Sequence, residues 1–339
     1  MTGWKALTAL LLALLLVPAQ GIEVLRVLAW PGYAEKEQVR LFEKKYNVSV
    51  VVSYVSSDDE LWRRVSKNNG GNFDVVAINT AELQRLIDQK LVQPIDAGRV
   101  PNLARQLPRY RTIPALSRNG QRFAVPYAHS EMGLIYNRQL VSVAPQSLAE
   151  LWNPKYRNQV LAYDGSAHNF SIAAQLLGFS DPFHLSAEQM QQAMVKLIEQ
   201  RPNVLAYYKT PEEVVDLFNE NKVALVYANY GEQQVQLLRK AGADIGYVIP
   251  KEGALAWLDC WAILRGARNR ELAHAWLNFS LDAEMSRQLV VEQGLGNTLQ
   301  DSDALSSGDK IIWLEPVENP AERANLWARI LGGHRSSRP

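Results

Sequence analysis

The feature that most constrains this chain is an alternation, met in both halves, of short apolar strands with amphipathic helices. "VLRVLAW" reads as a strand ending in the turn "PGY", and "AEKEQVRLFEKKY" sets Val39, Phe42 and Tyr46 at helical spacing. "VSVVVSYV" is β-branched and extended, and "DDELWRRVSKN" is a charged helix closed by Gly70 and Gly71. "FDVVAI", the helix "TAELQRLIDQK" and the strand opening "FAVPY" complete a β-α-β-α-β run. Such a run predicts a parallel sheet with helices on both faces. Ligands of these sheets bind at the carboxyl ends of the strands. Trp30 to Tyr33, Asn79 and Thr80 all lie at such ends.

The second half repeats the style. "QVLAYDG" is a strand, "NFSIAAQLLG" a helix stopped by Gly178, and "SAEQMQQAMVKLIEQ" a helix capped by Ser186. Thr210 caps "TPEEVVDLFNEN", with Pro211 at the first helical position. "KVALVYA", "EQQVQLLRKAG" and "IGYVIP" follow, and "RELAHAWLNFSL" is a clear helix. The pattern predicts a two-lobed α/β protein.

Residues 1–21, "MTGWKALTALLLALLLVPAQG", have the layout of a secretory signal peptide, with one lysine, an apolar run from Ala6 to Val17, then Pro18 and small residues. The run is too short for a spanning helix, which needs about 20 apolar residues. No cysteine follows it, so no lipid-modified N-terminus is expected. Cleavage after Ala19 or Gly21 leaves roughly 318 residues, enough for two domains, with basic and acidic side chains in balance. That balance gives no reason to expect nucleic acid as a partner. A single cysteine, Cys260, excludes an internal disulfide, so the fold must rest on its core.

Within the run "AWLDCWAIL", Asp259 stands between Trp257 and Trp261 in what reads as a buried strand. A carboxylate there is costly unless a cation meets it. Alternation turns Trp257, Asp259 and Trp261 one way and Leu258 and Cys260 the other. If the acid faces a cleft, the cysteine faces the core, which argues against a Cys260-dependent enzyme. No nucleophile elbow, Walker loop, dinucleotide fingerprint or H-E-x-x-H is present. The five histidines show no local metal spacing, and no cofactor is called for. Tyr207 and Tyr208 raise a ferric-receptor alternative, although neighbours on a strand face opposite ways. Asp58, Asp59 and Glu60 read as a solvated helix start favoured by the helix dipole. Trp62, Trp152, Trp276 and Trp327 sit on helical patterns and read as packing.

Ordered along the chain, "AWPGY", "FDVVAINTAELQRLIDQKLVQPID", "FAVPYAHSEMGLIYN", "SLAELWNPKYRNQVLAYD", "RPNV", "VIPKEGALAWLDCWAI" and "NRELAHAWLNF" carry a resemblance. The chain resembles the periplasmic spermidine/putrescine-binding proteins, the solute receptors of polyamine ABC importers. The resemblance implies the type II periplasmic-binding-protein fold, two α/β lobes with a hinge and a ligand cleft between them. Mapped here, lobe 1 takes 22–128 plus 260–304 and lobe 2 takes 129–259 plus 305–339. It implies a monomer in the periplasm that hands a small amine to a membrane permease driven by a separate ATPase.

The resemblance also assigns roles. Asp259 would meet a ligand amine and Trp257 would pack on its methylenes, while Trp30 and Tyr33 match an aromatic pair on the opposite wall. Tyr227 stands where the family has a tryptophan. The family's second acidic pair corresponds to Gly165 and His168, leaving only Asp164 nearby, and its aromatic near the end of lobe 1 is Leu295. The family's serine and tyrosine after strand three are Asn79 and Ala81. Two carboxylates are thus missing, with Glu131 in the hinge segment as a replacement for one. The expectation from these departures is a ligand with one firmly held amine and a neutral or anionic far end near Gly165, His168 and Asn169. 4-Aminobutyrate or an aminophosphonate fits that description, and putrescine with Glu131 as second acid is the competitor.

Overall fold

Two main β-sheets, beside a minor two-stranded one, divide the chain in the computed structural model, which describes residues 22–300 and 308–333. The expected signal peptide lies outside the described residues. The first strands are β1 (Val24–Ala29), β2 (Ser49–Tyr54), β3 (Val75–Asn79), β4 (Val92–Gln93), β5 (Ser117–Arg118), β6 (Gln121–Arg122) and β7 (Ala124–Met132). Then come β8 (Leu134–Asn137), β9 (Val160–Tyr163), β10 (Val204–Tyr208), β11 (Leu225–Tyr227) and β12 (Ile245–Val248). Last are β13 (Ala254–Leu264), β14 (Gly296–Asn297) and β15 (Ile311–Trp313). The large sheet runs β14-β7-β13-β3-β1-β2, with β4 and β15 paired to β13; the small sheet runs β10-β9-β11-β8-β12. The fold is the α/β class expected.

The large sheet is parallel over β2, β1 and β3 and between β13 and β15; β13 enters antiparallel between β3 and β7. An all-parallel sheet was the expectation. β7 and β13 escape it because they are crossing strands, whose direction is set by leaving and re-entering the sheet rather than by a helical crossover. β7 runs through Gly133 straight into β8, and β12 returns through 249–253 into β13. The change of sheet therefore falls at these points, whereas the expected lobe boundaries were at 128/129 and 259/260. A Cβ on Gly133 would lie 2.5 Å from the Val248 carbonyl oxygen, so the crossing admits no side chain there. After β15 the chain crosses again to the helix Pro320–Leu331, whose Trp327 and Ile330 pack with Phe170, Met190 and Met194 of the second lobe.

Capping fixes where the helices begin. The Ser57 hydroxyl accepts the Glu60 N–H at the head of the helix Asp58–Ser66. The Asn79 side chain accepts the Glu82 N–H at 2.9 Å and starts the helix Thr80–Asp88 directly off β3. Each such cap answers one orphan donor of the first turn, and each aims the helix start at the space between the sheets. An aromatic column runs down from that space into the core of the first lobe. Its ring centroids are 5.5 Å apart for Tyr33 and Tyr127, 5.7 Å for Tyr127 and Trp261, and 5.6 Å for Trp261 and Trp276.

Candidate functional site

Strand ends from both sheets converge on one cleft. The first lobe brings Trp30, Pro31 and Tyr33 after β1, Asp58 after β2, Asn79 at the end of β3, and Trp257 and Asp259 from β13. The second brings Tyr163 at the end of β9, His168 on the helix Ser166–Leu176, Asn229 and Tyr230 after β11, and Gln233. Together they surround about 400 Å³ of empty space.

Asp259 is 6% exposed and accepts a 2.7 Å hydrogen bond from the Tyr33 hydroxyl. Burial pushes its carboxyl up to about 7; the Tyr33 bond pulls it down and the nearby Asp58 charge adds to the rise. Burial and the Asp259 charge hold the Tyr33 hydroxyl well above its usual range. Trp257, centred 6.5 Å from the Tyr33 ring, donates its indole N–H to the Asn229 carbonyl at 3.1 Å and so ties one lobe to the other.

Asp58 is the second acid of the cleft. One of its oxygens accepts from the Asn79 amide at 2.9 Å, and the other lies 3.4 Å from His168 Nε2. His168 Nδ1 is 2.7 Å from the Asn229 side-chain oxygen, and its ring stacks on Tyr163 at 5.8 Å. Burial alone would lower the imidazole; the hydrogen bond and charge of Asp58 outweigh it and raise it above its ordinary value. Behind Asp58, Glu82 is pushed up to about 7 by burial and by the Asp58 charge. Asp59 is raised by burial, partly offset by the Ser166 hydroxyl at 3.0 Å. The lobes are closed on one another: Tyr163 donates its hydroxyl to the Ser56 carbonyl at 2.7 Å, and Gln233 donates to Gln293 at 3.1 Å.

Of the residues singled out in the sequence, Trp30, Tyr33, Asn79, His168, Trp257 and Asp259 line the cleft. Four lie elsewhere. Thr80 is buried as the first residue of its helix. Tyr227 turns inward, its hydroxyl 3.3 Å from Met132 Sδ. Asp164 accepts from the Trp327 indole at 2.8 Å and lies 3.8 Å from the Lys209 ammonium. Glu131 pairs across the sheet with Ala256, which puts it on the face opposite Asp259, 3.6 Å from His129. Asp58, Tyr163, Asn229, Tyr230 and Gln233 were not anticipated, although the strand-end rule, applied to β2, β9 and β11 as it was to β1 and β3, points to most of them. Asp58 is no solvated helix start; it is part of the cleft wall.

Cys260 is fully buried away from the cleft, and burial with the adjacent Asp259 charge holds its thiol well above the usual range. Tyr208 donates to the Tyr227 carbonyl while Tyr207 packs edge-on against Trp327, so the two hydroxyls do not converge. Among the described residues no group of three His, Cys, Asp or Glu side chains is placed to hold a metal ion.

The model of the bacterial extracellular solute-binding protein family matches residues 37–315. The spermidine/putrescine-binding periplasmic protein 1 of Haemophilus influenzae is 24% identical over 294 residues, covering 86% of this chain and 79% of its own. The spermidine/putrescine-binding periplasmic protein of Escherichia coli K12 is 26% identical over 268 residues, 77% of this chain and 73% of its own. Among solved structures, the TpPotD lipoprotein of Treponema pallidum has a TM-score of 0.77 at 19% identity, over 91% of this chain and 99% of that one. The PBP MotA from A. tumefaciens B6, solved with glucopine, has a TM-score of 0.68 at 17% identity, over 91% and 96%. With a two-lobed fold, a cleft between closed lobes and a family match over most of its length, this chain belongs to the bacterial extracellular solute-binding protein family.

Proposed function

We propose that the protein captures a linear diamine or polyamine and delivers it, outside the cytoplasm, to the permease of an ABC importer. The carrying observation is the charge of the cleft. Asp58 and Asp259 line it, Asp59 and Glu82 stand directly behind, and among the described residues no lysine or arginine lines any of the three cavities between the lobes. Among the described residues lining them, the candidate cation is His168. Between the acids stand the rings of Trp30, Tyr33, Trp257 and Tyr230. Ring faces attract ammonium groups by about 0.5 to 2 kcal/mol and cover the methylenes between them.

This reading revises the expected ligand. The acids absent from the second lobe are replaced from the first, by Asp58. An anionic far end finds few free donors: the Asn169 amide is spent on the Tyr163 and Gly165 carbonyls, and both His168 nitrogens already face oxygens. A carboxylate or phosphonate there would sit among carboxylates. The printed names of the curated relatives, spermidine/putrescine-binding proteins, point the same way.

Thermal shifts of ligand-stripped mature protein test the proposal. Putrescine, cadaverine and spermidine form one set; 4-aminobutyrate, 5-aminovalerate and 2-aminoethylphosphonate form the other. A ligand at about 100 times its Kd adds about 2.7 kcal/mol of stability. Stabilisation by the first set supports the proposal, and stabilisation by the second set alone overturns it.

A further inference from the structure

Three cavities meet between the lobes, and the same two side chains, Asp58 and His168, line all three. The first is the aromatic chamber around Asp259. The other two hold about 270 and 300 Å³ of empty space and share Glu82, with Glu315 and Ser171 in one and Asp59 and Ser166 in the other. The wall between aromatic and acidic chambers is therefore a pair contributed by opposite lobes. Each half is fixed from behind, Asp58 by the Asn79 amide at 2.9 Å and His168 by Asn229 at 2.7 Å and by stacking on Tyr163. Both imidazole nitrogens face oxygens, a setting that the doubly protonated ring satisfies.

We propose that the Asp58–His168 pair is a partition that sets the length of the ligand. The inference rests on the amine reading above. The imidazolium acts as an internal cation on the Asp58 oxygen 3.4 Å from its Nε2, an oxygen that a further ammonium would otherwise engage. Asp58 keeps acceptor capacity for a ligand ammonium, because a carboxylate has about four lone-pair sites. A ligand anchored at Asp259 thus ends at Asp58, and the chambers around Glu82, Asp59 and Glu315 stay closed to it. Acidic walls behind the ring would suit an added aminopropyl arm once the ring is gone.

Calorimetric titration of the ligand-stripped protein with putrescine, cadaverine, spermidine and spermine tests this. Wild type should bind the diamines at least tenfold more tightly than spermidine or spermine. In His168→Ala and His168→Asn, the ratio of spermidine to putrescine affinity should rise at least tenfold. Wild type that binds spermine as tightly as putrescine overturns the partition without any variant, so the test survives variants that do not fold. A ratio unchanged within threefold in either folded variant also overturns it, while amine binding itself stands. If wild type binds no amine and takes only the anionic set, the functional proposal fails and the partition with it.

Discussion

The Tyr33 hydroxyl donates a 2.7 Å hydrogen bond to Asp259, joining the turn after β1 to the middle of β13 across 226 positions of sequence. It holds in place the acid that β13 contributes to the aromatic cleft. A hydrogen bond to a charged group is worth about 1.5 to 3 kcal/mol. Tyr33→Phe should therefore weaken amine binding by about tenfold to a hundredfold at pH 8, read by calorimetry. It should also lower the melting temperature of the free protein, because the bond lies within one lobe and is made without ligand. Unchanged affinity would mean that the ligand alone orients Asp259.

Binding should also release protons. Burial lifts Asp259 to about 7, and a cationic ligand binds its ionised form. Affinity should fall as pH drops below about 7, and titrations near pH 6.5 in buffers of different ionisation enthalpy should show net proton release. An affinity flat from pH 6 to 8 would contradict this.

The free protein should carry the opposite signature. A carboxyl whose folded value lies above its unfolded value of about 4 binds its proton more tightly when folded. Its contribution is full below the unfolded value and is lost as pH rises through about 7. Asp259→Asn removes that dependence. Relative to wild type the variant should gain stability between pH 5 and pH 8, by denaturant unfolding without ligand.

Closure depends on a bond made directly between the lobes. The Tyr163 hydroxyl reaches the Ser56 carbonyl across the cleft at 2.7 Å. That bond breaks when the lobes part, so removing it acts on the closed state alone. A neutral hydrogen bond contributes about 0.5 to 1.5 kcal/mol. Tyr163→Phe should thus lower amine affinity by about twofold to tenfold, with a larger radius of gyration for the unliganded protein in solution scattering.

Much of this site was legible in the sequence because strand ends are marked locally. "AWPGY" and "VVAINT" announce where β1 and β3 stop, and Asp259 is conspicuous as an acid in an apolar strand. What escaped was parity and partnership. Asp164 adjoins the cleft-lining Tyr163, and alternation sends adjacent side chains to different faces. Tyr227 shares the parity of Asn229, but β11 ends at Tyr227 and the alternation ends with it. Glu131 could be placed only from the β7–β13 register, which fixes the face it shares with Ala256. Asp58 looked like any acidic first turn, because the charges it answers to, His168 and Glu82, are remote in sequence. The antiparallel entry of β13 was hidden for the same reason: the pattern records strands, not the direction from which a crossing chain returns.

Asp74 offers a test of the frame rather than the cleft. It is 1% exposed and accepts from the Arg26 backbone and guanidinium and from the Arg268 N–H at 2.7 to 3.0 Å. Arg26 also donates to the Gly71 carbonyl, so one ion pair pins β1 to the loops at the foot of β3 and β13. Burial alone would raise the Asp74 carboxyl; the Arg26 and Arg268 hydrogen bonds outweigh it and hold the group below its ordinary value. Removing one partner of a buried pair leaves an uncompensated charge and costs about 3 to 5 kcal/mol, so Asp74→Ala should lose that much in urea unfolding at pH 7. A depressed carboxyl contributes stability above its unfolded value of about 4 and loses it as pH falls through the lower folded value. The gap between wild type and Asp74→Ala should therefore narrow below pH 4, the reverse of the direction set for Asp259. A gap that stays constant down to pH 3 would mean that the Asp74 charge adds nothing to the anchoring of β1, and that packing alone holds it.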